Sequence, residues 1–122
     1  MKVLILGNSP QDKKHKLEQQ VQKHLPGVDI RCVTSVNDIV EALCRPMHGV
    51  SVVTAFIDDD DELEELLRYK NIMESVRLIL VLRDTKAWTA ALQLRPSYIT
   101  DWGSDMRGVC GVLERIRSQA TA

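Results

Sequence analysis

The chain has 122 residues, 44% of them apolar and 27% charged, which is the balance of one soluble globular domain rather than a disordered or membrane-embedded chain. Sixteen Lys and Arg face seventeen Asp and Glu, so no global field recruits nucleic acid or an anionic membrane, and a nucleic-acid role would need a local patch. The first residues, Met1 to Gly7, carry one charge and too short an apolar run for a signal peptide or a membrane span, and the expected compartment is the cytoplasm.

Lys2 to Leu6 reads as a strand, turned by Gly7-Asn8-Ser9-Pro10 into a helix with Ser9 as N-cap and Pro10 in its first turn. That helix runs to about Leu25 on the stripe Leu17, Val21 and Leu25, and Pro26-Gly27 ends it. Asp29 to Val33 is a second strand. Thr34-Ser35 caps a helix from Val36 to about Arg45 on Val36, Ile39, Val40 and Leu43, closed by Pro46. Ser51 to Ile57 is a continuous apolar run without alternation, the mark of a strand buried on both faces, and it meets the acids Asp58 to Asp61 directly. Glu62 to about Lys70 is helical on Leu63, Leu66 and Leu67. Arg77 to Leu82 is a fourth continuous strand, followed by a short helix from Asp84 or Thr85 to Leu94, a brief strand at 97–100, and a helix capped by Ser104 or Asp105 that runs to Ser118.

Five strands alternate with five helices, and alternation with continuous apolar strands demands a parallel sheet covered on both faces. The expected fold is α/β: a flavodoxin-like three-layer sandwich whose five-stranded parallel sheet has the order 2-1-3-4-5, because that order puts the most apolar strands in the middle. One domain is expected over residues 1–118, with 119–122 as a tail or the start of a linker to an output domain.

Three stretches carry a family resemblance: Lys2 to Leu6 at the start, Ser35 to Leu43 as the second helix, and Leu63 to Arg68 as the third. Together with Ala90 to Ile99, which is similar to the family's passage from fourth helix to fifth strand, they make the chain resemble, over nearly its whole length, the receiver domain of bacterial two-component response regulators. The resemblance implies a magnesium site formed by an acidic pair after strand one, a phosphoryl-accepting Asp at the end of strand three, a Ser or Thr after strand four and a Lys after strand five. Mapped onto this sequence, the acidic pair falls at Gly7 and Asn8, the hydroxyl near Leu82 or Arg83, and the Lys near Thr100 or Asp101, with Trp102 where Pro is usual. Counting back from Leu66-Leu67 places the acceptor at Thr54 or Ala55, with Asp58 three residues late.

The expectation is therefore a degenerate receiver: a signalling module, not an enzyme, with no catalytic residue, metal or cofactor, working by protein contact within a bacterial regulator of transcription or a related pathway. One alternative is a working receiver with Asp58 as phospho-acceptor. Another is a small-ligand-binding flavodoxin-like domain using Asn8 to Pro10.

Trp88, Tyr98 and Trp102, three of five aromatics, cluster toward the C-terminal part and are the expected interaction surface, for a homodimer or an output domain across the fourth helix, fifth strand and fifth helix. No membrane and no direct nucleic-acid partner are expected. The basic flank Lys13 to Lys16 reads as a solvated helix face, His24 as a packed residue, and Cys32, Cys44 and Cys110 as small core residues.

Overall fold

The computed structural model describes residues 1–7, 11–103 and 106–121; for residues 11–13, 120 and 121 it describes the backbone alone. The elements follow in the order β1 Lys2–Leu6, α1 Gln11–His24, β2 Asp29–Val33, α2 Val36–Cys44, β3 Val50–Ile57, α3 Asp60–Arg68, α4 Lys70–Met73, β4 Arg77–Leu82, α5 Trp88–Ala91, β5 Tyr98–Asp101 and α6 Arg107–Thr121. All strand pairs are parallel and the sheet order is β2-β1-β3-β4-β5, as the alternation requires. The fold is a flavodoxin-like α/β sandwich.

Burial follows that order. β3 and β4 are buried almost end to end, whereas the edge strands β2 and β5 contain no fully buried residue. Successive side chains of a strand point to opposite faces, so each central strand feeds two cores. Leu4, Leu6, Val53, Ala55, Ile57, Leu78, Leu80 and Leu82 pack against α2, α3 and the turns around α5. Val3, Ile5, Val52, Phe56, Ile79 and Val81 pack against Leu17 and Val21 of α1 and Val109 and Leu113 of α6. Burying a side chain of this size contributes roughly 1.5–3 kcal/mol, so the two cores together supply most of the driving force.

Local chemistry sets the boundaries. Ser35 is the N-cap of α2, its hydroxyl accepting from the amide of Asp38 at 3.2 Å, and the helix ends at Cys44 because Arg45, preceding Pro46, is extended. Asp59 is the N-cap of α3, its carboxylate accepting from the Glu62 amide at 2.9 Å. The single helix expected from Glu62 to Lys70 breaks at Tyr69 into α3 and the one-turn α4. The helix expected before β5 is irregular: α5 is flanked by 3-10 turns at Thr85–Ala87 and Leu92–Leu94, and Arg95 adopts a left-handed conformation with φ of 51°. α6 continues to Thr121, past the end at Ser118 expected from the sequence. The caps expected at Ser9, Ser104 and Asp105 lie outside the described residues.

Two packing expectations are corrected. Only Cys110 of the three cysteines is buried; Cys32 and Cys44 are exposed, Cys32 because β2 is an edge strand. His24 is exposed, while Lys14 is buried, 6% accessible, inside the flank that reads as a solvated face. Among the described residues no helix is long and apolar enough to cross a membrane.

Candidate functional site: the carboxyl mouth of the sheet

In parallel α/β sheets the loops after the strands' carboxyl ends form the functional mouth. Here those ends are Gly7 after β1, Asp58 after β3, Arg83 after β4 and Trp102 after β5. The structure corrects the acceptor position obtained by counting back from Leu66-Leu67. Thr54 and Ala55 lie inside β3 with no solvent exposure, and the first residue beyond the strand is Asp58. The count fails because only Asp58 and Asp59 separate β3 from α3, so the helix sits closer to the strand than the resemblance implies.

Asp58 does not stand alone. β4 is in register with β3, Ile57 beside Leu82, and the Arg83 amide donates to the Ile57 carbonyl at 3.0 Å, which carries the pairing to the mouth. Arg83 thereby stands beside Asp58, and its guanidinium donates to Asp58 Oδ1 at 2.8 Å. The other side of that guanidinium lies 5.6 Å from the centroid of the Trp102 ring. Trp102 is itself fixed to β4: its amide donates to the Leu82 carbonyl at 2.9 Å and its indole Nε1 to the Val81 carbonyl at 3.2 Å. Asp58, Arg83 and Trp102 therefore form a chain of contacts across three strand ends. With Arg83 63% exposed, the ion pair is worth at most about 1 kcal/mol, and the cation–π contact about as much again. The triad orders the mouth without locking it.

On the β1 side the backbone of Gly7 runs at φ +153°, and a Cβ there would stand 3.0 Å from the Phe56 Cβ. The Lys14 ammonium donates to the Gly7 carbonyl oxygen, its stem lying along the same glycine. Asn8 lies outside the described residues.

The fold family's magnesium ion would need several hard oxygen ligands at this place. The residues present do not fit it. Gly7 has neither a carboxylate nor room for one, its carbonyl is taken by an ammonium, and the Asp58 carboxylate by a guanidinium. Among the described residues no group of three His, Cys, Asp or Glu is arranged to hold a metal ion.

The acids after Asp58 serve the helix. Asp60, Asp61 and Glu62 occupy the first turn of α3, where the helix dipole favours negative charge. Glu62 also reaches back, accepting from the Asp58 amide at 3.4 Å. Its carboxyl is pushed up, chiefly by burial and then by the like charges of Asp59, Asp58 and Glu65, against the lowering effect of the Asp58 amide. The folded chain thus holds this proton more tightly than the unfolded one. The group's effect on stability is most favourable below the ordinary Glu range and is lost as pH rises through the raised value. Glu62→Gln, which keeps an acceptor for the Asp58 amide, is expected to raise the melting temperature at pH 7 and to flatten its fall above pH 4.5, read by melts across pH 4–7.

The three aromatics do not share one patch. Trp88 packs against the core on the α2–α5 side, whereas Tyr98 and Trp102 pack against the α1–α6 side; all three are half-buried. Tyr98 begins β5 and Trp102 directly follows it, at opposite ends of the strand, whereas Trp88 begins α5. Cys32 donates to Glu18 Oε1 at 2.8 Å, and partial desolvation followed by that carboxylate pushes its thiol up to about 11, which disfavours the thiolate. Sequence reasoning missed Arg83 and Lys14. The signal for Arg83 was its place directly after an apolar strand; Lys14 sits at i−3 from Leu17 and i−7 from Val21, on the inward stripe.

No protein-family model matches the chain, and no curated protein matches it in sequence. Solved structures do. The BeF3-activated receiver domain of DrrB aligns with a TM-score of 0.70 at 12% identity, over 96% of this chain and 97% of that one. A LuxR-family DNA-binding response regulator from Silicibacter pomeroyi gives 0.72 at 16% identity, over 95% and 90%. The RcsB response regulator of Salmonella typhimurium gives 0.73 at 13% identity, over 98% of this chain and 60% of that one. At these identities the likeness is one of fold, and the chain has the flavodoxin-like fold in the form seen in response-regulator receiver domains.

Proposed function

We propose that this chain is a receiver-like signalling module that acts by protein contact and without phosphorylation of an aspartate. The observation that carries the reading is the Arg83–Asp58 ion pair at 2.8 Å. The residue after β4, where a receiver has a small hydroxyl side chain, is a protein cation paired with the carboxylate that directly follows β3. A mouth that supplies its own positive charge has no need of a metal to neutralise Asp58. Gly7 and Asn8 stand where the resemblance puts the acidic pair, Thr100 or Asp101 where it puts the Lys, and the Arg83 cation is engaged by Asp58 itself, so the receiver's set of groups for phosphoryl transfer is not reproduced. The likeness to receivers in DNA-binding regulators supports an output through a linked or separate protein partner, met at the β5 edge with Trp88, Tyr98 and Trp102 as anchors and open also to a second copy. Among the described residues of the mouth no nucleophile is paired with a base, which supports a module that is not an enzyme, and its surroundings are those of the bacterial cytoplasm.

Incubation with acetyl phosphate and Mg²⁺, followed by intact-mass measurement, is expected to leave the chain unmodified. The second reading, a working receiver, is favoured by one fact: Asp58 is the first residue after β3. It requires a mass gain of one phosphoryl group that disappears in Asp58→Ala, and that result would replace the proposal.

A further inference from the structure

At the other end of the sheet from the mouth, where β4 and β5 begin, a groove of about 520 Å³ runs between the strand starts and the face of α6 from Gly108 to Gln119. Its floor is apolar: Tyr98 from β5, and Val112 and Ile116 from α6. Arg77, the first residue of β4, and Arg115 of α6 line it, and both are exposed. Among the described residues no carboxylate lies within ion-pairing distance of either guanidinium. Gly111 leaves a gap in the helix wall: apart from its own helix, nothing stands within 4 Å of where its Cβ would be. β5, an edge strand, leaves its outer backbone groups without a strand partner alongside.

Two unpaired guanidinia around an apolar floor select a ligand that brings carboxylates and an apolar side chain together. A guanidinium is the side chain best matched to a carboxylate, since its fork can donate two parallel bonds. The volume is that of a few side chains, not of a whole protein face. A purely acidic surface would leave the floor wet, and a purely apolar one would strand both charges. From this charge complementarity we infer that the groove is the docking site for an acidic amphipathic peptide segment of a partner protein, its carboxylates paired with Arg77 and Arg115 and an apolar residue seated at Gly111. The inference rests on the protein-contact reading above and names the chemistry of the partner, but it does not depend on the state of Asp58.

The full chain is titrated into a fluorescein-labelled synthetic peptide covering Asp59 to Arg68 of this same sequence, an acidic segment with leucines at 63, 66 and 67, and binding is read by anisotropy at low and physiological salt. Saturable binding is expected that weakens as salt rises, falls at least about tenfold in the Arg77→Glu/Arg115→Glu double variant, and is lost when lysine replaces the peptide's acids. Gly111→Trp fills the groove from a position with open space outside its helix, and replaces a helix-interior glycine, so it is expected to keep the fold and abolish binding. Absence of binding at millimolar protein, or binding equally strong in both variants, overturns the inference. So does self-association of the chain that is lost in the double variant without any peptide binding, which would give the groove to a second copy instead. Phosphorylation of Asp58 would overturn the proposed function and leave this titration unchanged, so the two failures are separable.

Discussion

Gly7→Asp is expected to lower stability by about 2–4 kcal/mol, and to bring no gain in magnesium affinity, even though it puts back one acid of the pair that receivers have after strand one. Two costs add. The backbone at Gly7 has φ +153°, a conformation that residues with a Cβ rarely adopt. The new Cβ would also press 3.0 Å from the Phe56 Cβ and 3.5 Å from the Phe56 carbonyl oxygen, and Phe56 is fully buried in the α1–α6 core and cannot retreat. A carboxylate that did fit would meet the Lys14 ammonium at the Gly7 carbonyl before any metal ion. A denaturant melt reads the stability and calorimetric titration with Mg²⁺ reads the affinity. A stable variant that binds the ion would contradict the reading of a degenerate mouth and show a receiver site with one part missing.

Thr54→Val is expected to stabilise the chain, by about 1–2 kcal/mol, which for a domain of this size is a rise in melting temperature of several degrees. Thr54 is wholly buried in the middle of β3, level with Ile5 and Ile79, and its hydroxyl has no hydrogen-bond partner among the described residues. Alternation along the strand puts it on the face of Val52 and Phe56, in the α1–α6 core. Val has the same branched shape and the same preference for strands, so the change removes an orphaned polar atom and leaves the packing in place. A fall in stability would mean that the hydroxyl has a partner, and a hidden polar site in the middle of the sheet would have to be sought.

Much of the fold was legible because it depends on patterns that are local and strong. The continuous runs at 51–57 and 77–82 read as strands buried on both faces, and their place in the middle of the sheet followed from that. The cap at Ser35, the stop before Pro46 and the end of α1 at Pro26-Gly27, where Gly27 has φ +89°, are single-residue chemistry and were read to within a residue or two. What could not be read depends on loop length and on contacts between distant residues. The carboxyl end of β3 was placed three residues early because it was counted from the helix, and the loop between β3 and α3 is two residues long. Arg83 finds Asp58, 25 residues away, only because β3 and β4 lie side by side in register. The three aromatics are near one another in sequence but belong to different layers: Trp88 joins the core that Ile99 of β5 also enters, whereas Tyr98, the adjacent residue along the strand, points to the opposite face with Trp102. The missing carboxylate at Gly7 was legible, because it is absent from the sequence itself. The contacts of Arg83 and Lys14 were not, because a lysine in a basic run gives no sign that it is the buried one.

We propose that, with Arg83 on the Asp58 carboxylate and Lys14 on the Gly7 carbonyl, the mouth takes up neither metal nor phosphoryl group. A thermal melt of the chain with and without Mg²⁺ plus beryllofluoride, which mimics an acyl phosphate on aspartate, tests it most directly. No shift in melting temperature is expected, in the chain itself or in Asp58→Ala, because nothing binds at the mouth. A rise of several degrees that vanishes in Asp58→Ala would show that Asp58 leaves Arg83 to accept the ligand, and that the ion pair is the resting state of a working receiver.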